Sequence, residues 1–196
     1  AAKNVTLNDV TTSGNTVATT INLGANSALS AVTQRGDWRT DVQGNAGDIV
    51  VNAGQLIVDH ANGAGALAMT TDGNGADGTI TLKGSLQIHS ALAWEDGLTL
   101  SSGDSAIDVS NATIVNLDHL ALKTNATTGL VTLGAITLGD GGASSGQGSL
   151  SVTAKTALLL GDLSTAGDTT GNAGDLTFHA AVVLIANVAL ATNSAG

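Results

Sequence analysis

Gly44-Asn45-Ala46-Gly47-Asp48-Ile49 returns as Gly171-Asn172-Ala173-Gly174-Asp175-Leu176, and around these two phrases the chain repeats a looser one, a glycine followed by apolar residues in steps of two. It opens at Gly78 (Gly-Thr-Ile-Thr-Leu), Gly129 (Gly-Leu-Val-Thr-Leu) and Gly148 (Gly-Ser-Leu-Ser-Val), with a shorter Gly-Leu-Thr-Leu at Gly97. From Gly47 to Gly174 the starts lie 31, 19, 32, 19 and 26 residues apart. Internal repetition of this kind constrains a chain more than any other feature, because each unit must bury its apolar face against the next. The uneven spacing argues against the fixed blade of a propeller and for coils of about 20 to 30 residues with loops of changing length.

Alternation in steps of two runs through the whole chain, as in Val5/Leu7, Ile49/Val51, Ile80/Leu82, Leu98/Leu100, Ile107/Val109 and Leu150/Val152. Such runs are strands, and Gly, Asn, Asp or Ser closes each of them. A stretch such as Asp37 to Asp41 is the most that begins to resemble a helix, so helix content near zero is expected. Proline is absent, and a strand paired on both sides would lose a ladder donor to it. The expected fold is all-β: a parallel β-helix of roughly eight coils, about 40 Å long at the usual strand spacing, with glycine and asparagine at left-handed corners. Residues 1–196 read as a single β-helical segment.

Charge and cysteine exclude several classes. With no cysteine, disulfide scaffolds and thiolate metal sites are out. Sixteen acidic against six basic residues, a net charge of −10, repel duplex nucleic acid and anionic membranes. The longest apolar stretch, 180–186 with 188–191 beyond one Asn, is short of the roughly 20 residues that span a bilayer, so membrane insertion is not expected. The opening Ala1-Ala2-Lys3-Asn4-Val5-Thr6-Leu7 reads as a strand without an initiator Met or a leader, and the expectation is a piece of a longer chain.

The phrase from Gly44 to Val58, echoed at Gly171 to Phe178, resembles the degenerate repeats of filamentous haemagglutinin-type exoproteins, large secreted adhesins of bacteria. The resemblance covers about residues 44 to 190. It implies a right-handed β-helical shaft, exported by an outer-membrane secretion partner and displayed on the cell surface or shed outside it. The amino-terminal secretion domain of that family is not recognisable, so the family resemblance implies interior shaft or a related filament.

Asp72-Gly73-Asn74-Gly75-Ala76-Asp77-Gly78 places oxygen ligands on Asp72, Asn74 and Asp77, two and three positions apart among glycines, as a calcium loop would require. Lys83 stands where an EF-hand needs its acid, and the competing reading is a plain corner turn. Trp94-Glu95-Asp96 is a compact acidic pair with an aromatic neighbour, either a sugar-contacting loop built on Trp94 and Glu95 or a loop tip entering a new coil. Arg35-Gly36-Asp37-Trp38-Arg39 holds the Arg-Gly-Asp tripeptide; Asp37, Trp38 and Arg39 are expected on a protruding loop, either the main lateral contact point or a solvated excursion whose Trp38 packs down on the coil edge. His60, His89, His119 and His179 share no position relative to the repeats and so form no ladder.

The leading functional expectation is therefore a structural or adhesive extracellular rod. It acts through its loops on a cell-surface glycan or host receptor and joins further coils or copies of itself where an apolar end such as Val182-Val183-Leu184-Ile185 is uncapped. No enzymatic activity and no cofactor beyond calcium is expected. The alternative is a polysaccharide-active β-helix enzyme, recognisable by acids converging in one groove. An ice-binding solenoid ranks last, because Thr79/Thr81 and scattered threonines make no regular ladder.

Overall fold

The computed structural model describes residues 3–12, 18–25, 27–40, 43–60, 65–83, 86–90, 96–115, 117–139, 148–166 and 174–193. Among these residues strands follow one another without a helix. The first coil holds β1 (Asn4–Leu7), β2 (Val10–Thr12) and β3 (Ile21–Leu23). The second holds β4 (Ala31–Gln34), β5 (Trp38–Thr40) and β6 (Ile49–Asn52), the third β7 (Gln55–Val58), β8 (Gly65–Thr70) and β9 (Ile80–Lys83). The fourth is β10 (Leu86–Ser90), β11 (Asp96–Ser101) and β12 (Ala106–Val109); the fifth is β13 (Ala112–Ile114), β14 (His119–Lys123) and β15 (Leu130–Leu133). In the sixth, β16 (Ile136–Leu138) is followed by the long β17 (Ser149–Leu159), and in the seventh β18 (Leu163–Ala166) by β19 (Leu176–Leu184). Strand β20 (Leu190–Asn193) starts an eighth.

Every pairing is parallel, and each strand lies on its counterpart one coil away. The first strands of the coils form one eight-stranded sheet, β1-β4-β7-β10-β13-β16-β18-β20. The second and third strands form two more faces, which count as one twelve-stranded sheet because β17 passes from one to the other without a break. The all-β parallel solenoid anticipated from periodicity is thus the fold, with seven full coils and one further strand instead of eight. Coil length runs from 22 residues, between Leu98 and Leu120, to 32, between Gln55 and Gln87.

The glycine phrases are not successive equivalents of one strand. Gly47, Gly78 and Gly129 head third-face strands, whereas Gly97, Gly148 and Gly174 head or open second-face strands. Steps of 19 therefore run from the third face to the second face of the next coil, and 31 and 26 are true coil lengths.

Alternation in steps of two aims one side chain in two at the interior, where like stacks on like. Ile21, Ile49, Ile80, Ile107, Val131, Ala157 and Val182 form one column by direct pairing. Leu67, Leu98, Leu120, Leu150 and Leu176 form a second, and Val32, Leu56, Ile88, Ile114, Ile136, Leu163 and Leu190 a third. Inside the stack these side chains are fully buried, each worth about 1.5–3 kcal/mol.

Corner glycines serve mainly to let coils approach. Only Gly24, Gly103 and Gly139 among the described residues have the left-handed backbone expected at corners. At Gly78 a Cβ would lie 2.1 Å from the carbonyl oxygen of Gly47, directly below it. Gly78→Ala should therefore lower unfolding free energy by about 1–3 kcal/mol in a denaturant titration. Gly54→Ala, whose Cβ would stay 3.1 Å from its nearest neighbour, should cost distinctly less.

Candidate functional site

At the end of the second-face strand in each of the first five coils the chain leaves the sheet and must return on the third face, which strands backbone polar groups at a buried corner. Thr12 and Thr40 pair directly there, and Thr71, Ser102 and Thr124 each follow the next residue of the same column. Thr40 Oγ1 donates to Gly47 O at 2.5 Å and Thr71 Oγ1 to Gly78 O at 2.6 Å, both across seven residues. Thr12 Oγ1 reaches Thr19 O at 3.2 Å, and Ser102 Oγ reaches Ser105 O at 3.0 Å. In the sixth coil the position after Thr153 is Ala154, and β17 runs straight through. The hydroxyl disappears where there is no excursion to close. Thr165, at the corner between the first and second faces, does the same for Gly174 O at 3.0 Å.

Excursions stacked on this corner enclose a groove of about 480 Å³, lined by Asp72, Gly73, Asn74, Gly75, Asp77, Ser101, Gly103, Asp104, Lys123, Thr124 and Asn125. Asp72 and Asn74 are exposed on its rim. Asp77 is engaged: Oδ1 accepts the Gly73 N–H at 2.9 Å and Oδ2 the Asp104 N–H at 2.6 Å, one coil up. Asp104 Oδ1 in turn accepts the Thr128 hydroxyl at 2.9 Å. No group of three or more His, Asp or Glu side chains among the described residues is placed to hold a metal ion.

The same use of carboxylates recurs at other corners. Asp9 accepts the Asp37 N–H at 2.9 Å, Asp37 the Ala68 N–H at 2.9 Å, Asp48 the Thr79 N–H at 2.7 Å and Asp162 the Ala189 N–H at 2.8 Å. Each bond spans one coil and replaces a ladder contact where the strands end.

Trp38 is a correction. It lies in β5 with its side chain fully buried, its Nε1 donating to Asn8 O at 3.1 Å, and is core rather than a lateral contact. The segment 35–37 is a tight corner, not a protruding loop: Gly36 sits against Asp9, Asp37 bonds both neighbouring coils, and Arg35 pairs with Asp59 at 2.7 Å. Arg39 does point outward, half-exposed. Trp94 and Glu95 lie outside the described residues. His89 is on the first face; His119 and His179 are on the second, paired with Ser149 and Thr153, and His60 sits at a corner, so no two stack.

Asp96, read in the sequence only as part of an acidic pair, is the one buried carboxylate among the described residues. Its Oδ2 accepts the Ser90 hydroxyl at 2.9 Å, while Oδ1 has no partner at hydrogen-bonding geometry among the described residues. Burial raises its pKa above the ordinary carboxylate value; Ser90, the nearby backbone N–H groups of His60 and Gly65, and the His60 charge offset this in part. The signal was its inward parity with Leu98 and Leu100 on β11.

A folded-state pKa above the unfolded one means that the ionised form weakens the fold, so stability grows as pH falls through the folded value toward the unfolded one. Asp96→Asn should therefore raise the melting temperature at pH 7, with a gain that shrinks as the solution is acidified through the native carboxyl's titration. Thr71→Val, which orphans the buried Gly78 carbonyl, should cost about 1–3 kcal/mol in a denaturant titration, and Thr11→Val on the outer face close to nothing. Calcium should leave the melting temperature unchanged, since both Asp77 oxygens are occupied; an upward shift abolished by Asp72→Asn would establish a calcium loop. Comparison of the chain with protein-family models, with curated proteins and with solved structures finds no match.

Proposed function

We propose that this chain is a structural and adhesive rod segment of a bacterial surface exoprotein similar to the filamentous haemagglutinins, delivered outside the cell by an outer-membrane secretion partner. The observation behind this reading is how the polar side chains are used. Asp9, Asp37, Asp48, Asp77 and Asp162 hold one coil to the next, and Thr40, Thr71 and Ser102 close corners. Side chains spent in this way build length and a displayed surface. The excursions around the 480 Å³ groove, with Asp72, Asn74 and Lys123, are the part offered to a cell-surface glycan or host receptor.

A second reading, an enzyme acting on polysaccharides, has one observation in its favour: Asp72, Asp77 and Asp104 line the same groove. The two separate in one experiment. Beads coated with the chain are offered to host cells and to soluble polysaccharides, alone and as the Asp72→Asn/Asp104→Asn variant. Attachment to cells or retention of glycan without chain cleavage is the expected result. Release of new sugar ends that the double variant abolishes would replace the rod by the enzyme, and beads that neither attach nor cleave would remove the adhesive role.

A further inference from the structure

One hydroxyl of the corner column is not used to close a corner. Thr40, Thr71 and Ser102 each donate to a carbonyl further along the same excursion, at 2.5, 2.6 and 3.0 Å. Thr124, one coil beyond Ser102, instead reaches Thr153 O at 3.5 Å, outside the roughly 2.5–3.0 Å of an O–H···O bond. That carbonyl already accepts the Thr124 N–H at 2.8 Å, so the fold does not need the hydroxyl. Thr124 is only 7% exposed and lines the 480 Å³ groove. A polar side chain buried to this degree without a close partner is costly unless a ligand supplies one.

The groove around Thr124 restricts what that ligand can be. Its lining comes from three successive coils, at the ends of β8, β11 and β14 and the excursions that follow them, and so runs about 10 Å along the axis. That shape suits a short chain lying lengthwise. Among the described residues the lining has no aromatic, Leu, Ile or Val side chain, so an apolar ligand finds nothing to cover it. Three carboxylates, Asp72, Asp77 and Asp104, stand against the ammonium of Lys123 and turn away a polyanion. A cation fares little better, because both Asp77 oxygens and one of Asp104 are already bonded and Lys123 sits among them. What remains are side chains without a hydrogen bond among the described residues: Asp72 accepts, Lys123 donates, and Asn74 and Ser101 do both. A sugar hydroxyl also does both, and satisfies an acceptor and a donor side by side without bringing charge. We infer that the groove holds a neutral oligosaccharide along the solenoid axis, with neighbouring hydroxyls on Asp72, an oxygen on Lys123 and a further hydroxyl on Thr124. This rests on the adhesive-rod reading and names the class of glycan.

Immobilised mannan, galactan and dextran, with heparin and polysialic acid as anionic counterparts, test this by retention of the chain at low and at high salt. Retention on a neutral polysaccharide, insensitive to salt, is the expected result. Asp72→Ala and Lys123→Ala should weaken it by about tenfold or more, and Thr124→Val by about threefold or more. Lys83→Ala, which removes the same charge as Lys123→Ala from the exposed end of β9, should change nothing. Thr124→Val should also keep the unfolding midpoint of the parent chain, unlike Thr71→Val, because the backbone N–H of Thr124 holds Thr153 O. Retention on heparin or polysialic acid alone, retention that all three groove variants leave intact, or a loss of stability in Thr124→Val equal to that of Thr71→Val would each overturn the inference. Coated beads that attach to host cells while no neutral polysaccharide retains the chain would overturn it too, and would leave the rod reading standing.

Discussion

Parallel pairing of each residue with its counterpart one coil away is the constraint on which the rest depends. Strands about 4.8 Å apart leave little room for variation between layers, so equivalent positions are filled by side chains that nest on their own kind. The isoleucine run Ile21, Ile49, Ile80, Ile107 is the plainest case. Where backbones touch at corners even a methyl is too much, as at Gly78 over Gly47. Trp38 is accommodated inside because its ring fills the stack between Val10 and Met69 and its N–H finds the Asn8 carbonyl.

Corners are the price of that regularity. Ladder bonds end there, and the chain supplies replacements from short polar side chains: a hydroxyl for a carbonyl within the coil, a carboxylate for an N–H of the next coil. The acidic excess follows from this second device as much as from any partner. Aspartate has the reach to bond one coil up, and glutamate's additional methylene is not needed; the chain contains a single glutamate, Glu95. An acidic groove at the second corner is in this view partly a by-product of construction, with Asp77 and Asp104 tied into loops and Asp72 exposed beside them.

Much of the fold was legible because strand alternation and turn residues are local signals. Faces were harder to read: Gly97 and Gly129 open similar phrases but sit on different sides of the stack, since both faces ask for the same pattern of glycine then alternating apolar residues. The Thr40 to Gly47 and Thr71 to Gly78 closures were visible as threonine seven residues before glycine, and became meaningful only once both residues were seen at a corner. Trp38 was misread because a tripeptide of charged residues and glycine looks like a loop, whereas three residues are all this corner has.

By itself, then, the amino-acid order determined strands, their punctuation and the kind of object they build, because steps of two and the absence of proline are properties of the chain alone. Which strands share a face, which carboxylates are buried or engaged, and which apolar residues lie open at the end were decided by the coil register. That register is set jointly by loop lengths and by the packing of residues some 22 to 32 positions apart, a distance over which no local pattern carries information.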